Sequence, residues 1–141
     1  MRLFACQNCG QVLHFENTRC EQCGAELGYL PMENTLAALE PTGVPGDFRP
    51  VGSNGGAVRH CDNAAQDGCN WMVPSGGPEM HCLACRHNRM IPDLSDPTSH
   101  GLWMKIEAAK HRAFYSFVRL RLPMQSRAED PAHGLAFDIL A

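Results

Sequence analysis

The 141-residue sequence has no apolar run approaching the roughly 20 residues that a membrane-crossing helix needs. Its opening, Met1-Arg2-Leu3-Phe4-Ala5, runs straight into Cys6 and leaves no room for the apolar core of a signal peptide. Basic residues are scarce: 12 Lys and Arg stand against 15 Asp and Glu, a formal charge of -3. The first 50 residues alone hold six acids against three arginines. Zinc in two four-cysteine sites would take the total to about -7, which disfavours a general phosphate-backbone binder. No HExxH occurs, so the 141 residues carry no zincin-type helix. No GxxxxGK[ST] occurs either, and Gly52-Ser53-Asn54-Gly55-Gly56 reads as a flexible turn rather than a phosphate loop.

Cysteine is what the chain has in quantity, eight in all and four of them within the first 23 residues. Cys6-Gln7-Asn8-Cys9-Gly10 and Cys20-Glu21-Gln22-Cys23-Gly24 are two CxxC-Gly turns separated by ten residues. In each turn the two sulfurs fall on one side, and the Gly lets the backbone swing back without a Cβ clash. Four soft ligands suit tetrahedral Zn²⁺ and leave no position open, so the site is structural; a rubredoxin-like iron centre satisfies the same four thiolates. An even cysteine count also fits a secreted disulfide scaffold, but without a leader the protein is read as cytoplasmic, where paired CxxC means metal. Residues 1 to 30 are thus a zinc ribbon, with Val12-Leu13-His14-Phe15 and Ala25 to Leu30 as its strands. So small a unit must take much of its folding free energy from the ion.

Residues 31 to 56 hold Pro31, Pro41, Pro45 and Pro50 and read as a linker, with one or two helical turns over Asn34 to Glu40. Residues 57 to 94 read as a second zinc-ribbon-like unit carrying Cys61, Cys69, Cys82 and Cys85. Its first turn is enlarged, with seven residues between Cys61 and Cys69, while Cys82-Leu83-Ala84-Cys85 keeps the short spacing. Asn70 to Val73 is the outgoing strand, Pro74-Ser75-Gly76-Gly77-Pro78 the reversal, and Glu79-Met80-His81 the return strand. His60, His81 and His87 lie close enough in sequence to replace one cysteine as ligand.

From residue 95 to Pro123, Leu102, Trp103, Ile106, Ala109, Ala113, Phe114, Phe117 and Leu120 recur at three- and four-residue steps. That periodicity predicts an amphipathic helix packed on the second unit, with Lys105, Glu107, Lys110, His111, Arg112, Arg119 and Arg121 on its solvent face. Glu107 and His111 then read as a surface pair one turn apart. Residues 124 to 141 form a polar loop followed by an apolar segment, Leu135 to Ala141, which reads as the start of a truncated region or as a strand pairing back.

Several phrases together resemble the N-terminal zinc-ribbon region of a bacterial zinc-binding metallopeptidase family. They are Phe4-x-Cys6-x-x-Cys9-Gly10, Phe15-Glu16-Asn17 with Cys20-x-x-Cys23-Gly24, Leu27-Gly28-Tyr29, Cys69-Asn70-Trp71, Cys85-x-x-Asn88-Arg89 with Ile91-Pro92-Asp93-Leu94, and Ile106-Glu107-Ala108-Ala109-Lys110. The resemblance runs to Gly134-Leu135-Ala136-Phe137-Asp138, which in that family leads into a longer part bearing an HExxH helix. It implies cysteine-held zinc at all eight cysteines, two ions per chain, and no catalytic residue before residue 141.

The expected fold is therefore a small metal-stabilised α+β protein: a rubredoxin-like ribbon, a second ribbon-like β unit and one long amphipathic helix. Its expected role is that of a structural zinc module that meets a protein partner or its own C-terminal domain. The alternatives are the N-terminal fragment of a metallopeptidase and, third, a nucleic-acid-binding ribbon.

Overall fold

The computed structural model describes residues 1 to 140. A two-stranded hairpin, β1 (Phe4–Ala5) with β2 (Val12–Leu13), frames the first CxxC turn, Phe4 facing Leu13 across the pair. β3 (Glu26–Leu30) follows the second turn, as the alternation after Cys23 predicts. It opens a five-stranded antiparallel sheet in sequential order with β4 (Thr35–Pro41), β5 (Asp47–Pro50), β6 (Val58–His60) and β7 (Met72–Pro74). The sheet curls until its first and last strands meet, the Tyr29 N–H donating to the Asn70 carbonyl at 2.8 Å beside a parallel bridge from Tyr29 to Trp71.

Three expectations are corrected here. Residues 31 to 56 are not a plain linker, because β4 and β5 lie within them and join the first ribbon to the second unit through one sheet. The helical turns expected over Asn34 to Glu40 are a strand. Leu36 to Leu39 are all buried, and they alternate: Leu36 and Ala38 enter the main core, Ala37 and Leu39 a smaller one with Leu30 and Met72. A strand covered on both faces reads as a continuous apolar run, which periodicity alone does not separate from a helix. Likewise Glu79 to His81 is not a strand, since β7 pairs with β6 instead.

Gln7, inside the first CxxC turn, ties the hairpin to the sheet. Its Oε1 accepts from the Ala38 N–H at 2.6 Å and its Nε2 donates to the Leu36 carbonyl at 3.1 Å, so the side chain serves β4 as a strand partner would.

After β8 (Asn88–Met90), Asp96 caps α1 (Pro97–Leu120) by accepting the Ser99 N–H at 2.7 Å, with Pro97 in the first turn, where it costs no hydrogen bond. Arg121, in the left-handed region at φ 54°, ends the helix. The final segment folds back as β9 (Phe137–Asp138), parallel to β8, with an Arg89–Asp138 ion pair across it.

The helix expectation is right in extent and right in part in facing: Trp103 and Phe114 are buried and Phe117 packs against the core. Leu102, Ile106 and Leu120 are exposed, whereas the buried stripe is Trp103, Glu107, Lys110, His111, Phe114 and Tyr115. Those positions also follow three- and four-residue steps, so the helix has a second stripe, rotated by one residue and partly polar.

The core joins the parts through aromatic rings. Phe15 meets Tyr29 at 5.0 Å and Tyr115 at 5.1 Å, and Tyr29 meets Trp71 at 4.6 Å between centroids. One contact sequence therefore runs from the first ribbon through the sheet to α1. Beneath α1, Gly68 lies against the Trp103 ring so closely that any Cβ would fall inside it. Gly68→Ala is expected to cost about 1–3 kcal/mol through overpacking, measured as a lowered urea midpoint with an unchanged slope.

Candidate metal centres

The first cluster rests on two equivalent turns. Gly10 and Gly24 adopt φ of 77° and 75°, which glycine enters freely, and their N–H groups donate at 2.8 Å to the carbonyls of Cys6 and Cys20. Each turn is closed in the same way from the other side, Cys6 N–H to the Gln11 carbonyl at 2.9 Å and Cys20 N–H to that of Ala25 at 2.8 Å. These turns bring the Sγ atoms of Cys6 and Cys23 to 3.6 Å, and those of Cys9 and Cys20 to 3.6 Å.

The second cluster assembles from less regular backbone. Cys61 directly follows β6, Cys69 precedes β7, and Cys82 and Cys85 flank a short turn. Backbone amides aim at the sulfurs: Cys82 N–H donates to Cys61 Sγ at 3.3 Å, Trp71 N–H to Cys69 at 3.3 Å, and Cys85 N–H to Cys82 at 3.4 Å. The Cys69 and Cys82 sulfurs lie 3.6 Å apart. In both clusters all four sulfurs lie within 4.8 Å of one another. A tetrahedron with Zn–S bonds of about 2.3 Å has edges of about 3.8 Å, so both donor sets fit the ion in number, kind and spacing.

The protonation pattern fits a cation as well. Cys61 is driven far down because Cys69, Cys82 and Cys85 donate to it. Burial pushes Cys69 up, and the hydrogen bond to Cys61 pushes Cys85 up. In the first cluster, the Cys23 N–H pulls Cys20 down to about 7. Backbone donation from Gln11 lowers Cys9, but burial and its cysteine neighbours outweigh this and push it up to about 12. In each cluster one sulfur is thus drawn below its ordinary value while coupled neighbours are pushed above it, and holding every sulfur as thiolate takes a positive ion at the centre.

None of the three histidines considered as substitute ligands reaches the second cluster. His60 Nε2 pairs with Glu26 Oε1 at 2.6 Å, His81 is exposed, and the His87 ring is bound between the Leu83 and Met124 carbonyls at 2.9 and 3.1 Å. Burial lowers His87 below its ordinary value. The imidazole that does reach the sulfurs belongs to His111 on α1, with Nε2 at 3.3 Å from Cys69 and 3.5 Å from Cys85. Burial lowers His111, but the Cys85 hydrogen bond and charge, with the Glu107 carbonyl and carboxylate, shift it upward overall.

Glu107 is fully buried beside it, the opposite of the expected surface pair. Its Oε1 accepts from Lys110 Nζ at 2.8 Å and Asn88 Nδ2 at 2.7 Å, and Lys110 also donates to Asn88 Oδ1. Cys85, Glu107 and His111 form a third group able to hold a metal ion. The signal for these residues was present in the sequence, since 103, 107, 110, 111 and 114 fall on one helix face with two large aromatics. A buried charge pair left with one partner is strongly destabilising. Glu107→Ala is accordingly expected to cost about 3–5 kcal/mol in denaturant unfolding, with Glu107→Gln milder because it keeps a hydrogen-bond acceptor.

Residues 3–96 match a zinc-ribbon domain family, and the chain belongs to that family. Residues 99–141, which contain β9 and all of α1 except its first two residues, match a second family described as "Putative zinc-binding metallo-peptidase". The chain is similar to uncharacterized protein Rv2568c of Mycobacterium tuberculosis strain H37Rv and uncharacterized protein Mb2598c of Mycobacterium bovis. Each is 35% identical over 143 residues, an alignment covering 100% of this chain and 38% of the relative. The chain thus spans well under half the length of these relatives. No solved structure matches it. The segment matching the metallopeptidase family contains no HExxH, and no helix among the described residues is long and apolar enough to cross a membrane.

Proposed function

We propose that these 141 residues form a zinc-held structural module, with one ion on Cys6, Cys9, Cys20 and Cys23 and one on Cys61, Cys69, Cys82 and Cys85. The observation that carries this reading is the closure of both clusters: four thiols converge in each, leaving no position for a substrate or an activated water. The ions supply folding free energy, and this chain carries out no catalysis. Zinc outranks iron on commonness alone, since four thiolates accept either metal.

The module's role is to present α1 to the rest of a longer metallopeptidase-family protein. Leu102 and Ile106 stand on its exposed side at 48% and 43% exposure, with Ala109 and Ala113 continuing the stripe. This stripe lies within the segment that matches the metallopeptidase family, and the alignment covers only 38% of the relatives' length. Any HExxH active site belongs to that further chain. A nucleic-acid role is disfavoured by the net charge of -3 and by burial of Trp71 in the core.

Freshly purified protein is expected to hold two zinc ions per chain by inductively coupled plasma mass spectrometry. Chelation should then abolish its near-ultraviolet circular dichroism. One zinc per chain, or iron, overturns the assignment. Because loading displaces thiol protons, apparent zinc affinity should fall as pH is lowered.

A second measurement addresses docking. Leu102→Asp with Ile106→Asp should leave the stability of residues 1 to 141 within about 0.5 kcal/mol. In the full-length protein the same pair should release the module from the remaining chain, detected as new protease sensitivity between them. Unchanged sensitivity rejects this face as the docking surface.

A further inference from the structure

The group beside the second cluster that a four-cysteine site does not use is the His111 imidazole. Its Nδ1 donates to the Glu107 carbonyl at 2.7 Å, one turn back along α1, which fixes the plane of the ring. The Trp71 ring stands against it at 5.3 Å. Nε2 is left facing the sulfurs, 3.3 Å from Cys69, 3.5 Å from Cys85 and 3.9 Å from Cys82. In a tetrahedral site with three cysteines and one histidine, nitrogen and sulfur lie about 3.6 Å apart. The three measured distances straddle that value. Cys69, Cys82, Cys85 and His111 therefore make a second donor set of tetrahedral size, sharing three members with the four-cysteine set. A metal-ligating histidine ordinarily donates its other ring N–H to a carbonyl or carboxylate, and His111 already stands in that arrangement.

We propose that His111 is an alternative fourth ligand of the second centre: the ion stays on Cys69, Cys82 and Cys85 while the fourth position passes between Cys61 and His111. This rests on the zinc occupancy proposed above. In the exchange the Cys61 Sγ–metal bond breaks and the His111 Nε2–metal bond forms. Cys61 leaves with its electron pair as a thiolate, and nothing is oxidised or reduced. The released sulfur has an outlet, because Cys61 lines a cleft of about 910 Å³ with Glu26, His60 and Asn70; Cys69 lines the same cleft, so a difference in reactivity between the two sulfurs reports which of them leaves the ion rather than which one the cleft exposes. On the helix side, Lys110 and Asn88 anchor the Glu107 carboxylate and keep the turn that carries His111 in place. The centre can thus keep its ion while one thiolate becomes available to a small electrophile entering the cleft.

Cobalt(II) substitution tests the assignment through absorption rather than activity. Wild type and His111→Ala are expected to bind two cobalt ions per chain with full thiolate charge transfer. Cys61→Ala should also bind two, with the charge-transfer band of the second centre lowered by about a quarter as four sulfurs become three. The double variant should bind one. A Cys61→Ala protein that binds one ion overturns the exchange while leaving zinc occupancy intact, whereas a wild type that binds one overturns the occupancy itself. A companion measurement on zinc-loaded wild type needs no variant to fold. Brief iodoacetamide treatment with mass mapping should modify Cys61 at least about tenfold faster than Cys69, Cys82 or Cys85. Equal protection of the four cysteines overturns the proposal.

Discussion

Four thiols drawn within 4.8 Å of one another need a cation to hold them all as thiolates, and the rest of this chain is arranged around two such gatherings. The backbone amides aimed at the sulfurs favour negative charge there, the left-handed glycines of the first cluster set the turns that carry its sulfurs, and the burial of the second makes thiolates costly unless a cation accompanies them. With a cation in place, loops that have little apolar surface of their own become fixed points on which strands and a helix can be hung.

What separates this fold from two ribbons in tandem is the way the clusters are connected. The sheet from β3 to β7 begins at the first cluster and ends at the second, and its curl brings Tyr29 against Trp71. Phe15 and Tyr115 complete the aromatic contact, so α1 is seated by the first ribbon as well as by the second cluster. Loss of either cluster would therefore be felt at both ends of the molecule. The buried Glu107–Lys110 pair, hydrogen-bonded to Asn88, fixes the rotation of α1 about its own axis more narrowly than apolar packing would.

That rotation has a functional corollary. Turning Glu107, Lys110 and His111 inward turns Leu102 and Ile106 outward, so the same choice that brings an imidazole to the sulfurs leaves an apolar stripe facing solvent. The stripe and the histidine are two sides of one helix within the segment that matches the metallopeptidase family. The second cluster and the exposed apolar stripe are thus joined through one helix, which carries the stripe and the imidazole that meets the sulfurs.

The local turns were legible in the sequence. CxxC-Gly sets the first cluster through short-range backbone geometry, and Asp96-Pro97 with Arg121-Leu122-Pro123 brackets the long helix. Both signals act over a few residues. Grouping Cys61 and Cys69 with Cys82 and Cys85 was legible too, because four cysteines left in one short stretch have few other partners. The fate of Leu36 to Leu39 was not, since an apolar run covered on both faces carries no period, and only the neighbouring strands β3 and β5 show it to be sheet. Nor did the sequence decide which stripe of α1 is buried. It contains two that share Trp103 and Phe114, and hydrophobicity alone extends them to Leu102, Ile106 and Leu120, which are exposed. The choice is made by what α1 packs against: a layer of sulfurs and the Asn88 amide reward donors and a paired carboxylate, and those partners come from residues 61 to 88, brought beside the helix only by the tertiary fold.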